Sequence, residues 1–98
     1  MQRALTKDRA AEVDLIEIWV WTFDHWGVEQ ADRYLGLIDV AIRALADDPT
    51  RGRSRESLRS GYRSLTTGHH VIFFTHTENE VRIRRVLHEV MDFDSHLE

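Results

Sequence analysis

The sequence predicts an α+β protein: an N-terminal strand and an α-helical hairpin packed on a C-terminal antiparallel sheet of three to four strands. Residues 61–88 contain three runs rich in Val, Ile, Phe, Tyr and Thr, broken at Thr67-Gly68 and at Glu78-Asn79. Two long segments before them carry apolar residues at helical spacing. Only Gly27 separates these two segments, which favours antiparallel neighbouring helices.

Length and composition restrict the class of protein. A chain of 98 residues is expected to form a single domain over residues 1–98. The absence of cysteine excludes a disulfide framework, a thiolate metal site and a cysteine nucleophile. We recognise no secretory signal, and the longest apolar stretch is too short to span a bilayer. We therefore expect a cytoplasmic protein without membrane contact, and the sequence indicates no cofactor.

The net charge of -4 conceals a strong segregation of charge along the chain. Residues 1–48 carry ten acidic and five basic side chains, whereas residues 49–85 carry eight arginines and three glutamates. The last 13 residues add four acids. Such a pattern is compatible with ordinary solvated surfaces, but it also predicts a basic sheet half that attracts an anionic partner.

The N-terminal elements are predicted from capping signals. Residues 2–5 read as a short edge strand, and Thr6 is a suitable N-cap for a first helix over about residues 7–26. Gly27 is a suitable terminator of that helix. The second helix is expected from Val28 or Glu29 to Ala46, and Asp48-Pro49 ends it because the residue before a proline is pushed out of the α region.

The first helix has an unusually wide apolar surface, an arc of roughly 220° where a surface helix shows little more than about 100°. One stripe, predicted to face the sheet or the second helix, contains Ala11, Leu15, Ile18, Trp19, Thr22 and Trp26. A second stripe beside it contains Val13, Ile16, Val20 and Phe23, with Trp21 near it. Either the second helix covers the excess, or this second stripe faces a partner.

The loop and the sheet carry most of the basic residues. Residues 49–60 are rich in arginine, glycine and serine, which predicts a mobile surface loop that is solvated or touches an anionic partner. Strand alternation predicts a mixed Arg and His surface on the face that Ile72, Phe74 and Val86 share, with the helices on the other face. Arg85 lies in phase with the buried strand residues, so a β-bulge turns it out or a carboxylate pairs with it. The last ten residues are expected to form a short helical turn over the sheet edge.

The ordered set of elements and residues resembles ParE, within the superfamily of RelE and ParE toxins of type II toxin-antitoxin modules. The matching pieces are Asp14-Leu15, Ile18-Trp19 and Trp26-Gly27; Ala31 and Tyr34; Leu45, Pro49 and Gly52; Gly61-Tyr62-Arg63; His70-Val71-Ile72-Phe73-Phe74; Arg85-Val86-Leu87-His88; Met91-Asp92 and His96-Leu97. They extend over nearly the whole chain.

The resemblance implies a toxin that inhibits DNA gyrase by direct binding and that a small ParD-like antitoxin, encoded beside it, neutralises in a hetero-oligomer. Contact with DNA would then be indirect, through the antitoxin. We place antitoxin binding on Val13, Ile16, Val20, Trp21 and Phe23, where the apolar surface of the first helix is in excess. From the charge segregation we place target binding on Arg82, Arg84, Arg85, His88 and Met91.

Two other functions compete with this reading. A RelE-like ribosome-dependent mRNA endoribonuclease needs a base, an acid and cations at the phosphate. The candidates are Arg63, Arg82 and Arg84 as cations and His70 or His88 as the proton carrier. Glu89 and Asp92 beside them would repel RNA, so we expect no catalytic residues and a non-enzymatic inhibitor. An interaction module without toxicity is the third possibility.

Metal binding and direct DNA binding are not expected. His69, His70 and His76 might suggest metal ligands, but neighbouring strand residues point to opposite faces and no set of ligands is complete. Direct DNA recognition favours a basic helix, whereas both helices here are acidic.

Overall fold

The computed structural model describes residues 3–97 and shows a five-stranded sheet with two long helices on one face. The elements are β1 (Ala4–Lys7), α1 (Arg9–Trp26), α2 (Val28–Asp47), β2 (Arg53–Ser54), β3 (Arg63–Thr67), β4 (His70–His76), β5 (Glu80–His88) and α3 (Phe93–His96). The strand order is β1-β5-β4-β3-β2. Strands β3, β4 and β5 form the predicted antiparallel meander, and β1 runs parallel to β5. Across the described residues, none of the helices combines the length and apolarity that crossing a bilayer requires.

The sheet has more strands than the three to four predicted, because the arginine-rich segment adds one. After a 3-10 turn at Pro49–Arg51, Arg53 and Ser54 pair with β3 as a short antiparallel edge strand. Arg55 then donates from Nε to Ser64 Oγ at 2.7 Å, and its guanidinium lies over the rings of Phe73 and Phe93. This segment is therefore packed against the sheet, contrary to the expectation of a free surface loop.

The N-terminal strand lies later in the chain than predicted. It occupies Ala4–Lys7, while Gln2, the predicted first residue, falls outside the described part. The prediction that Thr6 caps the helix is wrong, since Thr6 pairs with β5 and Asp8 is the N-cap residue. The backbone N–H of Asp8 donates to Ile83 O at 2.8 Å, which continues the ladder and delays the start of the helix.

Gly27 alone connects the two helices, as predicted. Its φ of 90° is a conformation that costs glycine little and other residues more. The Gly27 N–H closes α1 by donating to Phe23 O at 2.9 Å, and Gly27 O accepts from Ala31 N at 3.1 Å to open α2. One residue thus ends one helix and begins the next, which fixes the pair as a tight antiparallel hairpin.

The main core lies between the helices and the sheet face that the sequence assigned to solvent. Ile72, Phe74 and Val86 are buried there together with Ala11 of α1 and residues of α2. The predicted assignment of faces is therefore wrong. A β-bulge explains the error on β5. Phe73 pairs with Arg85 but Phe74 pairs with Ile83, so Arg84 is an extra residue that shifts the alternation. Beyond the bulge, Val86 therefore lies on the same face as Ile83.

The C-terminal segment and the residues around β3 cover the opposite face of the sheet. A second core is formed there by Tyr62, Val71, Phe73, Leu87 and Leu97, with Leu58 and Phe93 packed against it. Arg59 ties the two covering segments together, donating to Asp94 Oδ1 at 2.9 Å and to Leu97 O at 2.7 Å. The short helix α3 thus lies over a face of the sheet, although the sequence placed it over an edge.

An ion pair between buried Asp14 and partly buried Arg85 joins α1 to the bulge in β5. Asp14 accepts from Arg85 Nε at 2.7 Å, from Arg85 Nη2 at 2.9 Å and from the backbone N–H of Val86 at 2.9 Å. Arg85 Nη1 also donates to His96 O at 2.8 Å. The sequence offered a bulge or a carboxylate partner for Arg85, and the structure contains both.

We predict that Asp14→Ala lowers the free energy of unfolding by about 3 kcal/mol, because it leaves the Arg85 charge and the Val86 amide without their acceptor. The matched control is Asp39→Ala, which breaks an exposed Asp39–Arg43 pair of 2.9 Å on α2 and should change stability by no more than about 0.5 kcal/mol. Urea denaturation measures both variants. Equal losses in the two would contradict a structural role for Asp14.

Candidate functional site

The second apolar stripe of α1 faces away from the sheet. Its residues Val13, Ile16, Val20 and Phe23 are between 41% and 63% exposed, whereas Ala11 and Thr22 on the other side of the helix are buried. Of the two alternatives, coverage of this stripe by the second helix is therefore wrong. The first stripe packs as predicted except at Trp26, which lies at the end of the helix and is 70% exposed.

The ring of Phe23 is held in place at the solvent side of the hairpin. It stacks on Trp19 with ring centroids 5.2 Å apart and nearly parallel planes. The Trp19 indole Nε1 in turn donates to Asp32 Oδ1 on α2 at 2.9 Å. Because Asp32 fixes the indole, Phe23 presents an ordered aromatic surface to solvent.

Trp21 lies apart from the other four residues predicted to bind the antitoxin. It stacks on His25 and lines a groove of about 520 Å³ at the end of the hairpin. The groove is lined by Glu17, Ile18, Trp21, Thr22, Trp26, Gln30, Tyr34, His69, His70 and His88. The structure thus divides the predicted antitoxin residues between an outward stripe and the wall of this groove.

Three histidines meet at the sheet side of the groove. Tyr34 Oη lies 2.6 Å from His70 Nδ1 and accepts from the His69 N–H at 3.1 Å, so we assign the tyrosine as the donor to His70. His88 meets His70 edge to face at 5.1 Å, and His69 Nδ1 pairs with Glu89 Oε2 at 2.6 Å. Burial, reinforced by His88 and His69, lowers the pKa of His70 from 6.5 to about 4. His70 is therefore neutral at pH 7.

The β3–β4 turn brings Tyr34 against this cluster. Gly68 adopts a φ of 59°, and a Cβ at this position would lie 2.8 Å from the Tyr34 ring. Burial raises the pKa of Tyr34 above its usual value, which keeps the phenol protonated as a hydrogen-bond donor. In the sequence, Tyr34 was named only among the residues that resemble ParE, and its proximity to the histidines depends on the sheet.

The five residues predicted to contact the target lie in different parts of the structure. Arg84 Nε is 3.0 Å from Asp8 Oδ2, its guanidinium lies over the Tyr62 ring, and Arg82 is 3.6 Å from Asp8 Oδ1. Arg85 is engaged with Asp14. His88 lines the groove, and Met91 is exposed in the turn that follows β5. Only Arg82 and Arg84 share a cluster.

The structure separates the residues that an RNA-cleaving site would need to combine. Arg82 and Arg84 lie beside Asp8, whereas His70 and His88 line the groove at the far end of β5. Arg63 is turned towards β2, where its Nη2 donates to Gly52 O. Within residues 3–97, no group of three or more His, Cys, Asp or Glu side chains is placed to hold a metal ion.

The pairing role of Asp14 was missed by sequence analysis, which named this residue only among those that resemble ParE. The available signal was Arg85, whose position in phase with buried strand residues indicated a bulge or a carboxylate nearby. Gln30 was also missed as a lining residue of the groove. No periodic pattern in α2 distinguishes Gln30 from an ordinary solvated side chain.

Solved toxin-antitoxin structures share this fold. A structure described as the chromosomal ParDE TA system from P. aeruginosa superposes with a TM-score of 0.78 at 25% identity, covering 89% of this chain and 96% of that one. A chain of the RelBE2 toxin-antitoxin complex from Mycobacterium tuberculosis gives a TM-score of 0.64 at 21% identity, covering 90% and 99%. The fold is that of RelE and ParE toxins.

Comparison with related sequences shows which family of toxins with this fold the chain belongs to. The model of the ParE toxin of the type II toxin-antitoxin system, parDE, matches residues 6–93. Toxin ParE1 of Mycobacterium tuberculosis (strain CDC 1551 / Oshkosh) is 44% identical over 89 residues, covering 90% of this chain and 91% of that protein. Toxin ParE1 of Caulobacter vibrioides is 40% identical over 89 residues, covering 91% and 92%. The chain belongs to the ParE toxin family, as the sequence motifs predicted.

The low pKa of His70 predicts a loss of stability in mild acid. Between pH 6.5 and about 4 the unfolded chain binds a proton that the folded protein does not, so the free energy of unfolding falls as the pH falls. The free energy of unfolding changes with pH by at most about 1.4 kcal/mol per pH unit through His70, and the partial exposure of this residue reduces that contribution.

Urea denaturation at several pH values, comparing the wild type with His70→Gln, measures this contribution. The His70→Gln variant should lose part of the slope, whereas the control His76→Gln, at an exposed position of the same strand, should retain it. If the free energy of unfolding of His70→Gln depended on pH as steeply as that of the wild type, the lowered pKa of His70 would be wrong.

Proposed function

We propose that this chain inhibits DNA gyrase by direct binding and that a ParD-like antitoxin neutralises it. Membership of the ParE toxin family is the observation that carries the proposal. The first helix of this chain also leaves a row of apolar residues exposed to solvent. Exposed apolar rows of this kind mark sites of protein association. The toxin would act in the cytoplasm and reach DNA only through its antitoxin and its target.

The antitoxin site is proposed on α1, around Val13, Ile16, Val20 and Phe23, with Trp21 at the entrance to the groove. A partner helix laid along such a row gains apolar burial, which is the helix-in-groove mode of recognition. Phe23 favours this placement because its ring is already ordered by Trp19, so little conformational freedom is lost on binding. An antitoxin chain that continues past α1 would reach the groove beside Trp21.

The target site is proposed on the strand β5 and the turn after it. Arg82 and Arg84 provide the basic cluster, and His88 with Met91 extends the surface towards the C-terminal segment. Arg85 supports this strand through its ion pair with Asp14. Asp8 partly neutralises the cluster, so long-range attraction of the target depends on the whole basic half of the chain.

We further propose that inhibition involves no catalysis by this chain. RNA cleavage needs a proton carrier within hydrogen-bond reach of the reacting oxygen and cations on the same phosphate. The histidines and the Arg82–Arg84 cluster lie in separate regions, and Glu89 occupies the space beside His69. This arrangement favours a binding inhibitor over an mRNA endoribonuclease.

Val20→Asp and Phe23→Asp are each predicted to weaken antitoxin binding by at least about 100-fold, because a carboxylate would be buried in the apolar interface. The matched control is Val40→Asp, which places the same charge at an exposed apolar position of α2. Calorimetric titration with the ParD-like antitoxin of the module, plus a thermal melt of each variant, measures the effect. Full affinity in both α1 variants while they remain folded would remove the proposed site.

Expression of the chain alone is predicted to stop growth with loss of gyrase supercoiling and with intact messenger RNA. Arg82→Gln/Arg84→Gln should abolish the inhibition of purified gyrase while antitoxin affinity stays within about twofold, because the two sites are separate. The control Arg33→Gln/Arg43→Gln removes the same charge from exposed positions of α2, outside the basic half of the chain, and should remain toxic.

Two results would contradict the proposal. Cut transcripts with normal supercoiling would make the protein a nuclease. Unimpaired growth, with supercoiling unaffected by the purified chain, would make it a binding module without toxicity.

A further inference from the structure

The exposed residues of α1 follow the spacing of a coiled-coil seam. Val13 and Val20 occupy a positions, and Ile16 and Phe23 occupy d positions, in two successive heptads. All four lie on the side of the helix away from the core. At 1.5 Å per residue the seam extends roughly 15 Å, or about three helical turns. Its geometry matches one partner helix lying along α1.

Acidic side chains flank this seam. Glu17 and Asp24 occupy the e positions of the two heptads, and Glu12 occupies a g position. Within residues 3–97 none of these three carboxylates forms an ion pair, in contrast to Asp8, Asp14 and Asp39. The surrounding surface is also acidic, since α1 and α2 together carry eight acidic residues and three arginines. The seam therefore has an excess of negative charge along its borders, mainly at the e positions. Trp19 and Trp26 occupy the g positions within the two heptads, and Arg9 lies at the N-terminal end of the seam.

This charge disfavours a second copy of the chain as the occupant. In a coiled coil the e and g residues of one helix face those of its partner. Self-association along the seam would bring Glu12, Glu17 and Asp24 against their own copies, and like charges at an interface are unfavourable. The occupant must supply the opposite charge.

We infer that the segment covering α1 is a cationic amphipathic helix of about two heptads, with apolar residues at its a and d positions and Lys or Arg at its e and g positions. This inference rests on the proposed antitoxin site and names the chemistry of its partner. The positive charges of the antitoxin segment pair with Glu12, Glu17 and Asp24, which fixes the register of the helix and speeds its association.

Salt dependence and charge reversal test the inference with the ParD-like antitoxin as the probe. Affinity of the unmodified toxin should fall at least about tenfold between about 0.05 M and about 1 M NaCl, because salt screens the flanking pairs. Glu17→Lys/Asp24→Lys should weaken binding about tenfold in low salt, mainly through a slower association rate, and the difference should shrink in high salt.

The control is Asp47→Lys/Glu78→Lys, which makes the same change in net charge at exposed positions outside α1. It should bind within about twofold of the wild type, since charges beyond a Debye length are largely screened. Surface plasmon resonance measures both rates, and circular dichroism checks the fold of each variant. If the control lost as much affinity as Glu17→Lys/Asp24→Lys, the loss would be explained by net charge alone. That result would overturn the inference.

The two proposals fail in different ways. If Val20→Asp abolishes binding but salt and Glu17→Lys/Asp24→Lys have no effect, the antitoxin site stands and the cationic helix is wrong. Tighter binding by Glu17→Lys/Asp24→Lys would indicate an acidic partner segment and would also overturn the inference. If Val20→Asp and Phe23→Asp bind normally, the site itself is wrong.

Discussion

The ion pair between Asp14 and Arg85 is the interaction on which the rest of the structure depends. Strand β1 pairs with β5 as far as Ile83, and the part of the chain that the structure describes places no strand beside this edge further on. Asp14 takes the place of a strand there by accepting the N–H of Val86, and it neutralises the charge of Arg85. A buried charge without this partner would be strongly destabilising. The pair therefore sets both the position and the rotation of α1 on the sheet.

The rotation of α1 explains why its outer face is exposed. With Asp14 and Ala11 turned to the sheet, Ile16 and Val20 must point in the opposite direction, because successive residues of a helix are 100° apart. Helix α2 meets α1 at its flank, where Trp19 donates to Asp32. The apolar seam is thus a consequence of the fold, and no element within residues 3–97 covers it.

The same architecture gives the two faces of the sheet different surfaces. The helices on one face are acidic, and Arg82 and Arg84 lie with Tyr62, whose ring belongs to the core on the other face. His70 remains neutral in the groove at the end of the helical hairpin. A protein with two such surfaces can hold two partners of different chemistry, which fits the proposed pair of a cationic antitoxin helix and a gyrase target.

The sequence by itself determined the elements of this protein, its family and the excess apolar surface of α1, because period, capping and turn chemistry are local properties. Only the tertiary structure decided which surfaces are covered. The extra residue at Arg84 shifted the alternation of β5 beyond Ile83, the pairing of Arg53 and Ser54 extended the sheet, and Trp26 was left in solvent. A periodic pattern shows which residues share a face, but coverage of that face depends on contacts between distant parts of the chain.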